Sequence, residues 1–557
     1  MIKYIKIFSL VFGLLLMNSC KLDLLDNPNA VTPNSTDVNF LLNRIELNFA
    51  GNDGTGTNSF FNQASDPGMR LTRMLNQGSV SYAAAYGSPA GNGLWNNAYS
   101  NILIDIKTLL PIVEKNQQFV HAGIARVIRA YVLATMVDYF GEVPLSEALD
   151  PANFNPKIDD GATVYQAAIA DLDKAVENFN ATSASTPTND YFYRSNRENW
   201  IRAANSIKLK LLLTRRLADN GTAGAINSLI SANRFISNSA QNFAFRFGSN
   251  LSNPDSRHPR YAGQYSPTGG GDYQSNFYMW SLNDSKGFPD PRIRYYLYRQ
   301  VTRNTTDVNE LRCITNQPPA HYPIGMPYCF GSVASLGYWG RDHLNNEGIP
   351  PDGLRRTAWG VYPAGGRFDN NAGQAVAQIA GAQGAGIHPI MMSSFVDFML
   401  AESALVLKTT GDPKALLESA VRKSMADVRS FALSTIEAGT IAAFETAQNI
   451  NWDNEVNRYV ARVLALYDGA ATDDAKLDVI GREYWLALHG NGVEAINLYR
   501  RTGKPAGMQP ALDPNPGSFV RSLLFPDVFA TRNVNAKQKT NIEQPVFWDK
   551  NPAGLTR

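Results

Sequence analysis

The sequence predicts a mainly α protein: paired amphipathic helices in two blocks, with a long loop-rich insert between them. Three observations carry this. Apolar residues recur at three- and four-residue spacing through most of residues 92–233 and again through 393–500. Between these blocks, residues 240–366 hold 15 Gly, 12 Pro and 20 aromatic residues in 127 positions, so Gly plus Pro reaches about 21% against about 13% overall, and regular helices are not expected there. Aromatics also rise there, to about 16% against 11% for the whole chain. A disordered linker would be depleted in them, so the insert (about 234–392) reads as ordered loops.

The first element is short. Lys3 and Lys6 precede an apolar run from Ile7 to Met17, about half the ~20 residues a membrane-spanning helix needs, so 1–19 reads as an export signal. It ends at Asn18-Ser19-Cys20, which resembles a bacterial lipobox. Cys20 is then the lipidation site, and residues 20–36 form a lipidated tether able to reach roughly 50 Å when extended. The alternative is a secreted protein with a chance cysteine. Removing residues 1–19 removes two lysines and leaves 49 basic against 49 acidic groups. A neutral chain offers no polyanion-binding surface, and nucleic acid is excluded as a partner.

Residues 37–557 are expected to form one domain. In the first helical block, "FVHAGIARVIRAYVLATMVDYFG" places Val120, Ile124, Val127, Tyr131 and Val132 on one stripe. "TVYQAAIADLDKAVENF" follows with Val164, Ala168, Leu172, Ala175 and Phe179, and Thr163 stands as its expected N-cap with Gln166 three residues on. "RENWIRAANSIKLKLLLTRRLA" adds Trp200, Ala204, Ile207 and Leu211. The second block runs from "SFVDFMLAESALVLK" to "GVEAINLYRR". Helices paired by short connections resemble degenerate tetratricopeptide-type units. Trp95, Trp200, Trp452 and Trp485 lie in or at the start of helical patterns and are read as structural.

Two cysteines remain after lipidation. Cys313 and Cys329 flank "CITNQPPAHYPIGMPYC", and in an exported protein a disulfide is favoured over two buried thiols. The catalytic motifs HExxH, Walker A, GxSxG and HRD do not occur. The histidines 121, 258, 321, 343, 388 and 489 are scattered, and each reads as a surface or capping residue. "NDGTGTN" (52–58) has too few acids for Ca²⁺, so no metal or cofactor is expected.

Binding residues are sought instead among the aromatics. A sugar ring has an apolar C–H face that a Trp or Tyr can cover, and a rim of hydroxyls for Asn, Asp, Arg and Gln. The candidates are Tyr82 and Tyr86 in "SYAAAYGS", then Tyr261, Tyr265, Tyr273, Tyr278 and Trp280, then Tyr338, Trp339, Trp359 and Tyr362. Arg341 and Asp342 of "YWGRDHLNNEG" (338–348) are candidate polar contacts. For each ring the alternative is core packing.

Blocks recur along nearly the whole chain: "DYFGEVPLSEAL" (138–149), "AIADLDKA" (168–175), "NWIRAANSIKLKLLL" (199–213), "FMLAESALVLK" (398–408), "IGREYWLALHGNGVEAINLYRRTGKP" (480–505) and "PVFWDKNP" (545–552). Together and in this order they resemble the SusD/RagB family of outer-membrane nutrient-binding lipoproteins. The resemblance implies a scaffold of four tetratricopeptide-like helix pairs with long irregular loop insertions. It implies a protein that is not an enzyme, anchored by lipid to the outer membrane and facing the cell exterior. Such a protein passes a captured oligosaccharide to a SusC-like TonB-dependent transporter. Lys21, Asp23 and Asp26 resemble the acidic export tag of such lipoproteins. Peptide capture, as in the RagB branch, is the alternative. A protein-binding helical scaffold and a surface glycosidase are more remote. The resembling blocks themselves are expected to be scaffold, with Gly141, Pro144, Gly503 and Pro505 as helix stops.

Overall fold

The computed structural model describes residues 37–51, 59–267, 269–310, 312–329, 336–347, 352–551 and 554–556. The expected export signal, Cys20, the expected tether to residue 36 and the stretch "NDGTGTN" (52–58) lie outside the described residues. About half of the structure is helical, in an all-α, tetratricopeptide-like arrangement.

The N-terminal helices are α1 (Val38–Ala50) and α2 (Phe60–Leu71). Then come α3 (Ile104–Lys115), entered through a π-helical turn at Asn97–Leu103, α4 (Phe119–Phe140), α5 (Gly161–Asn180), α6 (Arg197–Thr214) and α7 (Thr222–Ala232). After the insert, which contributes α8 (Asn276–Asn283), come α9 (Ser393–Val406), α10 (Pro413–Leu433), α11 (Ala438–Ala447), α12 (Trp452–Gly469), α13 (Asp473–Ala487) and α14 (Gly492–Thr502). Consecutive helices pack on one another, α4 on α5 most extensively, with α3 on α4, α5 on α6, α9 on α10 and α12 on α13, and α13 also packs on α9.

Helix α4 departs from its expected single stripe, since nearly every residue from Val120 to Phe140 is buried. It is long and apolar enough to cross a membrane, yet its apolar window is enclosed by the protein, which is the signature of a central core helix. The N-terminus of α5 also differs from expectation. Asp160, not Thr163, is the N-cap, and its carboxylate accepts from the Thr163 N–H at 2.9 Å. Helices α2 and α14 touch backbone to backbone. A Cβ on Gly68 would lie 2.0 Å from the Gly492 carbonyl oxygen, so this crossing requires glycine.

Buried polar groups join the sequence blocks that are distant in the chain. The Asp138 carboxylate accepts from Tyr165 Oη, from Asn497 Nδ2 at 2.6 Å and from Trp548 Nε1 at 2.9 Å. Arg500 donates to the Asp138 carbonyl at 2.8 Å and lies over the Trp548 ring. Arg501 forms a paired contact with Glu402 of α9, with both side chains 1% exposed. The α4 end, α5, α14 and the C-terminal segment are thus fixed to one another.

Within the insert, β1 (Phe243–Arg246) pairs antiparallel with β4 (Ile387–Met391), and β2 (Leu297–Tyr298) with β3 (Ala358–Trp359). Helix α8 and shorter helical turns appear where composition argued against helices. The eight-residue stretch "NFYMWSLN" holds neither Gly nor Pro.

Candidate functional site

Most of the predicted ring platforms are interior. Tyr82, Tyr86, Tyr261, Tyr265, Tyr278, Tyr338, Trp339, Trp359 and Tyr362 are all buried, which removes the open face a sugar would need. The insert folds around these rings. Tyr261 and Tyr265 stack at 4.2 Å and donate their hydroxyls to the carbonyls of Ala380 and Trp359. Tyr278 stacks on His489, and Trp359 packs on the same imidazole. Tyr82 Oη meets His343 Nε2 at 3.0 Å, and Tyr86 donates to Gln77. The Tyr338 ring lies beneath the Arg299 guanidinium, and Tyr362 packs on Tyr296. Tyr273 is half-buried, but the guanidiniums of Arg341 and Arg356 lie over its ring at 4.0 and 4.3 Å, and its hydroxyl donates to Asp352. Burial and that carboxylate push the Tyr273 hydroxyl up to about 12.

The histidines correct part of a further expectation. His121, His343, His388 and His489 are interior and His321 is exposed, while His258, though buried, caps the helical turn Pro259–Gln264, its Nδ1 accepting from the Arg260 N–H at 3.2 Å. Burial drives His388 and His489 down to about 3, so both rings are neutral packing groups. No group of three metal-ligating side chains occurs among the described residues.

Cys313 and Cys329 form a disulfide, and Trp339 packs against it. A loop of this length adds about 3 kcal/mol by restricting the unfolded chain. Replacing Cys313 and Cys329 together by serine should lower the denaturant unfolding free energy by about that amount.

One predicted ring remains open. Trp280, half-buried on α8, borders a surface groove of about 610 Å³. Phe277, stacked on Trp280 at 6.0 Å, lies beside it. One wall is the tip of the disulfide loop, Pro323 to Pro327, where Ile324 is fully exposed and Met326 partly so. The opposite wall comes from the end of α12 (Leu466, Gly469) and from α13 (Asp478, Val479, Arg482, Glu483), with Ala506 and Gly507 alongside.

The polar rim is balanced. At the rim Arg482 pairs with Asp478 at 3.5 Å and donates to the Ala506 carbonyl, while the Lys286–Glu483 pair, at 2.8 Å, is buried. An aromatic ring, aliphatic walls and matched charges suit a neutral ligand with alternating apolar and hydroxylated surface. At 730 Å³ a second pocket, near the C-terminus, is larger but offers no such face. Of the Phe, Tyr and Trp rings only Phe519 lines it, buried between Tyr82 and Tyr499.

Of the sequence candidates, only Trp280 lies in the groove. Asp478, Arg482 and Leu466 were missed, because nothing in a helical pattern some 200 residues downstream marks residues that face α8. The stretch between the cysteines, which supplies the loop wall, was likewise not among the sequence candidates. Asp342 is not a rim contact. It is buried and accepts from Gln509 Nε2 at 2.7 Å, the Cys329 N–H at 2.9 Å and Asn276 Nδ2 at 3.1 Å. Burial pushes its carboxyl up to about 7, against the pull of these donors. Arg341, at the edge of burial, donates to the Glu347 carbonyl.

Comparison with known proteins extends this picture. The family described as "Starch-binding associating with outer membrane" matches residues 28–315, and that described as "Susd and RagB outer membrane lipoprotein" matches residues 369–543. No curated protein matches the sequence. Among solved structures, a SusD homolog from Bacteroides fragilis is 18% identical with a TM-score of 0.64, covering 93% of this chain and 100% of its own. A SusD/RagB family protein from Bacteroides thetaiotaomicron gives 17% and 0.64, with 93% and 100% covered. A chitin-binding SusD homolog from Flavobacterium johnsoniae gives 17% and 0.64, with 92% and 99% covered. At these identities the likeness is one of fold.

Proposed function

Because this chain belongs to the SusD/RagB family of outer-membrane lipoproteins, we propose that it captures a neutral oligosaccharide at the Trp280 groove and passes it to a SusC-like TonB-dependent transporter. Trp280 is the observation that carries the reading: among the predicted platforms it alone has a ring bordering an open groove. Sugar C–H groups would stack on it, and the partly exposed Asp478 and Arg482 would bond the hydroxyls. The groove volume suits a few hexose units. The paired rim gives an acidic glycan no net attraction, so a neutral one is favoured. The anchor is Cys20, and the tether lets the domain sit over the transporter on the outer face. The chain does no chemistry on what it holds. Oligopeptide capture by the same groove is the second reading, supported by the apolar Ile324 and Met326 wall.

The test uses the soluble chain beginning at Lys21, titrated by calorimetry with neutral plant, starch-derived and chitin-derived oligosaccharides, their acidic counterparts and a peptide panel. Trp280→Ala should weaken the bound neutral saccharide at least tenfold, about 1.4 kcal/mol, with unchanged circular dichroism. Trp359→Ala should instead lower the melting temperature, because that ring is core. Binding of peptides alone, or saccharide binding untouched by Trp280→Ala, would refute the reading.

A further inference from the structure

Two walls of the groove meet at one buried carboxylate. Helix α8 carries Trp280, and its first residue, Asn276, donates to Asp342 Oδ2. The disulfide loop supplies a second wall, and its last residue, Cys329, donates its N–H to the same oxygen. Asp342 Oδ1 accepts from Gln509 Nε2, which also donates to the Pro327 carbonyl at 2.9 Å, at the base of the tip. The loop is further laid along the chain after α14, where Tyr322 Oη donates to the Pro510 carbonyl and His321 Nε2 meets that of Ala511 at 2.9 Å. The neighbouring backbone reinforces the tie, because Asn276 N–H donates to the Arg341 carbonyl and Gln509 Oε1 accepts from the His343 N–H.

We infer that Asp342 is a positioning residue for the groove, whose carboxylate holds the α8 wall and the disulfide-loop wall at a fixed separation. The chemistry of the three donors requires this acceptor. Each carboxylate oxygen has lone pairs for the donors it faces, whereas an amide would set an N–H₂ group against at least one of them. The disulfide closes the loop at its base, and Asp342 seats that base through the Cys329 N–H and the stretch before it through Gln509, which bridges to the Pro327 carbonyl. Closing the ring and seating it against α8 are therefore separate tasks, and Asp342 performs the second. The proposal rests on the groove being the capture site only for its effect on affinity.

Hydrogen exchange followed by mass spectrometry on the full soluble chain tests it without any ligand. Asp342→Asn should accelerate exchange at least tenfold in the peptides covering 322–329 and 276–283, leaving α4 and α9 at wild-type rates. Gln509→Leu, which leaves the carboxylate in place, should reproduce the loop effect and so serves if Asp342→Asn fails to fold. Affinity for a chitin-derived hexasaccharide, or for whichever neutral oligosaccharide of the panel the wild type binds, should fall at least tenfold in both variants. Acceleration spread equally over α4 and α9, or none in the two walls, would overturn the positioning role. So would unchanged affinity in a variant whose walls do loosen. Absence of saccharide binding by the wild type would overturn the capture reading and leave the exchange result to decide the positioning role.

Discussion

Asp138→Ala should lower the unfolding free energy by roughly 4–5 kcal/mol, among the largest effects expected of a single substitution. The Asp138 carboxylate is 1% exposed and serves three donors from three segments: Tyr165 Oη on α5, Asn497 Nδ2 on α14 and Trp548 Nε1 near the C-terminus. Truncation leaves these donors buried without an acceptor, at about 1–3 kcal/mol each, partly relieved by rearrangement. Tyr165→Phe, with Asp138 retained, removes only one donor and should cost far less. Urea unfolding followed by far-ultraviolet circular dichroism measures both. A loss below about 1 kcal/mol for Asp138→Ala would mean that water replaces the carboxylate, and the site would then be wetter than its burial indicates.

This hub also shows what could be read from the sequence and what could not. The scaffold was legible because helices announce themselves locally. The spacing of Val164, Ala168, Leu172, Ala175 and Phe179 states which face goes inward, and all five are buried. The blocks "DYFGEVP", "YRRTGKP" and "FWDK" were legible as scaffold, but not as partners, since no local pattern says that residues 138, 497 and 548 meet. Even the α5 cap was misread by three residues, since Asp160 and Thr163 are both competent caps and only the backbone bend decides between them.

The loop-rich insert was harder for a different physical reason. Loops bury backbone carbonyls and N–H groups that no helix satisfies, and long aromatic side chains with polar tips meet that need. Tyr261, Tyr265 and Tyr278 each donate to a main-chain carbonyl. Enrichment in Tyr and Trp therefore recorded the insert's own core as much as any ligand face, and composition cannot separate the two. Trp280 differs from Tyr278 only in falling on the outward side of one short helix. Its groove is completed by α12 and α13, some 200 residues away.

The second large effect concerns the other interior tie. Glu402→Gln and Arg501→Met should each cost about 3–5 kcal/mol, because each leaves a buried charge without its partner. Both side chains are 1% exposed and meet through Nε at 2.9 Å and NH2 at 2.7 Å, with Arg216 a further 3.5 Å from the carboxylate. Burial alone would raise the Glu402 carboxyl, but Arg501 and then Arg216 overcome it and hold it below its ordinary value of 4.5, while Arg501 is itself raised. The sign of the pH effect follows. A depressed carboxyl contributes its stability in full above about 4.5, and that contribution is lost as pH falls through the folded value. The double variant should cost less than the sum of the singles by up to about 3 kcal/mol, because it removes the pair together and leaves only Arg216 facing a neutral amide. Denaturant melts of the wild type and the three variants at pH 7 and again near pH 4 measure both terms. The gap between wild type and Glu402→Gln should narrow at the lower pH. A gap that stays constant would mean that packing of the two stems, and not the ion pair, joins α9 to α14.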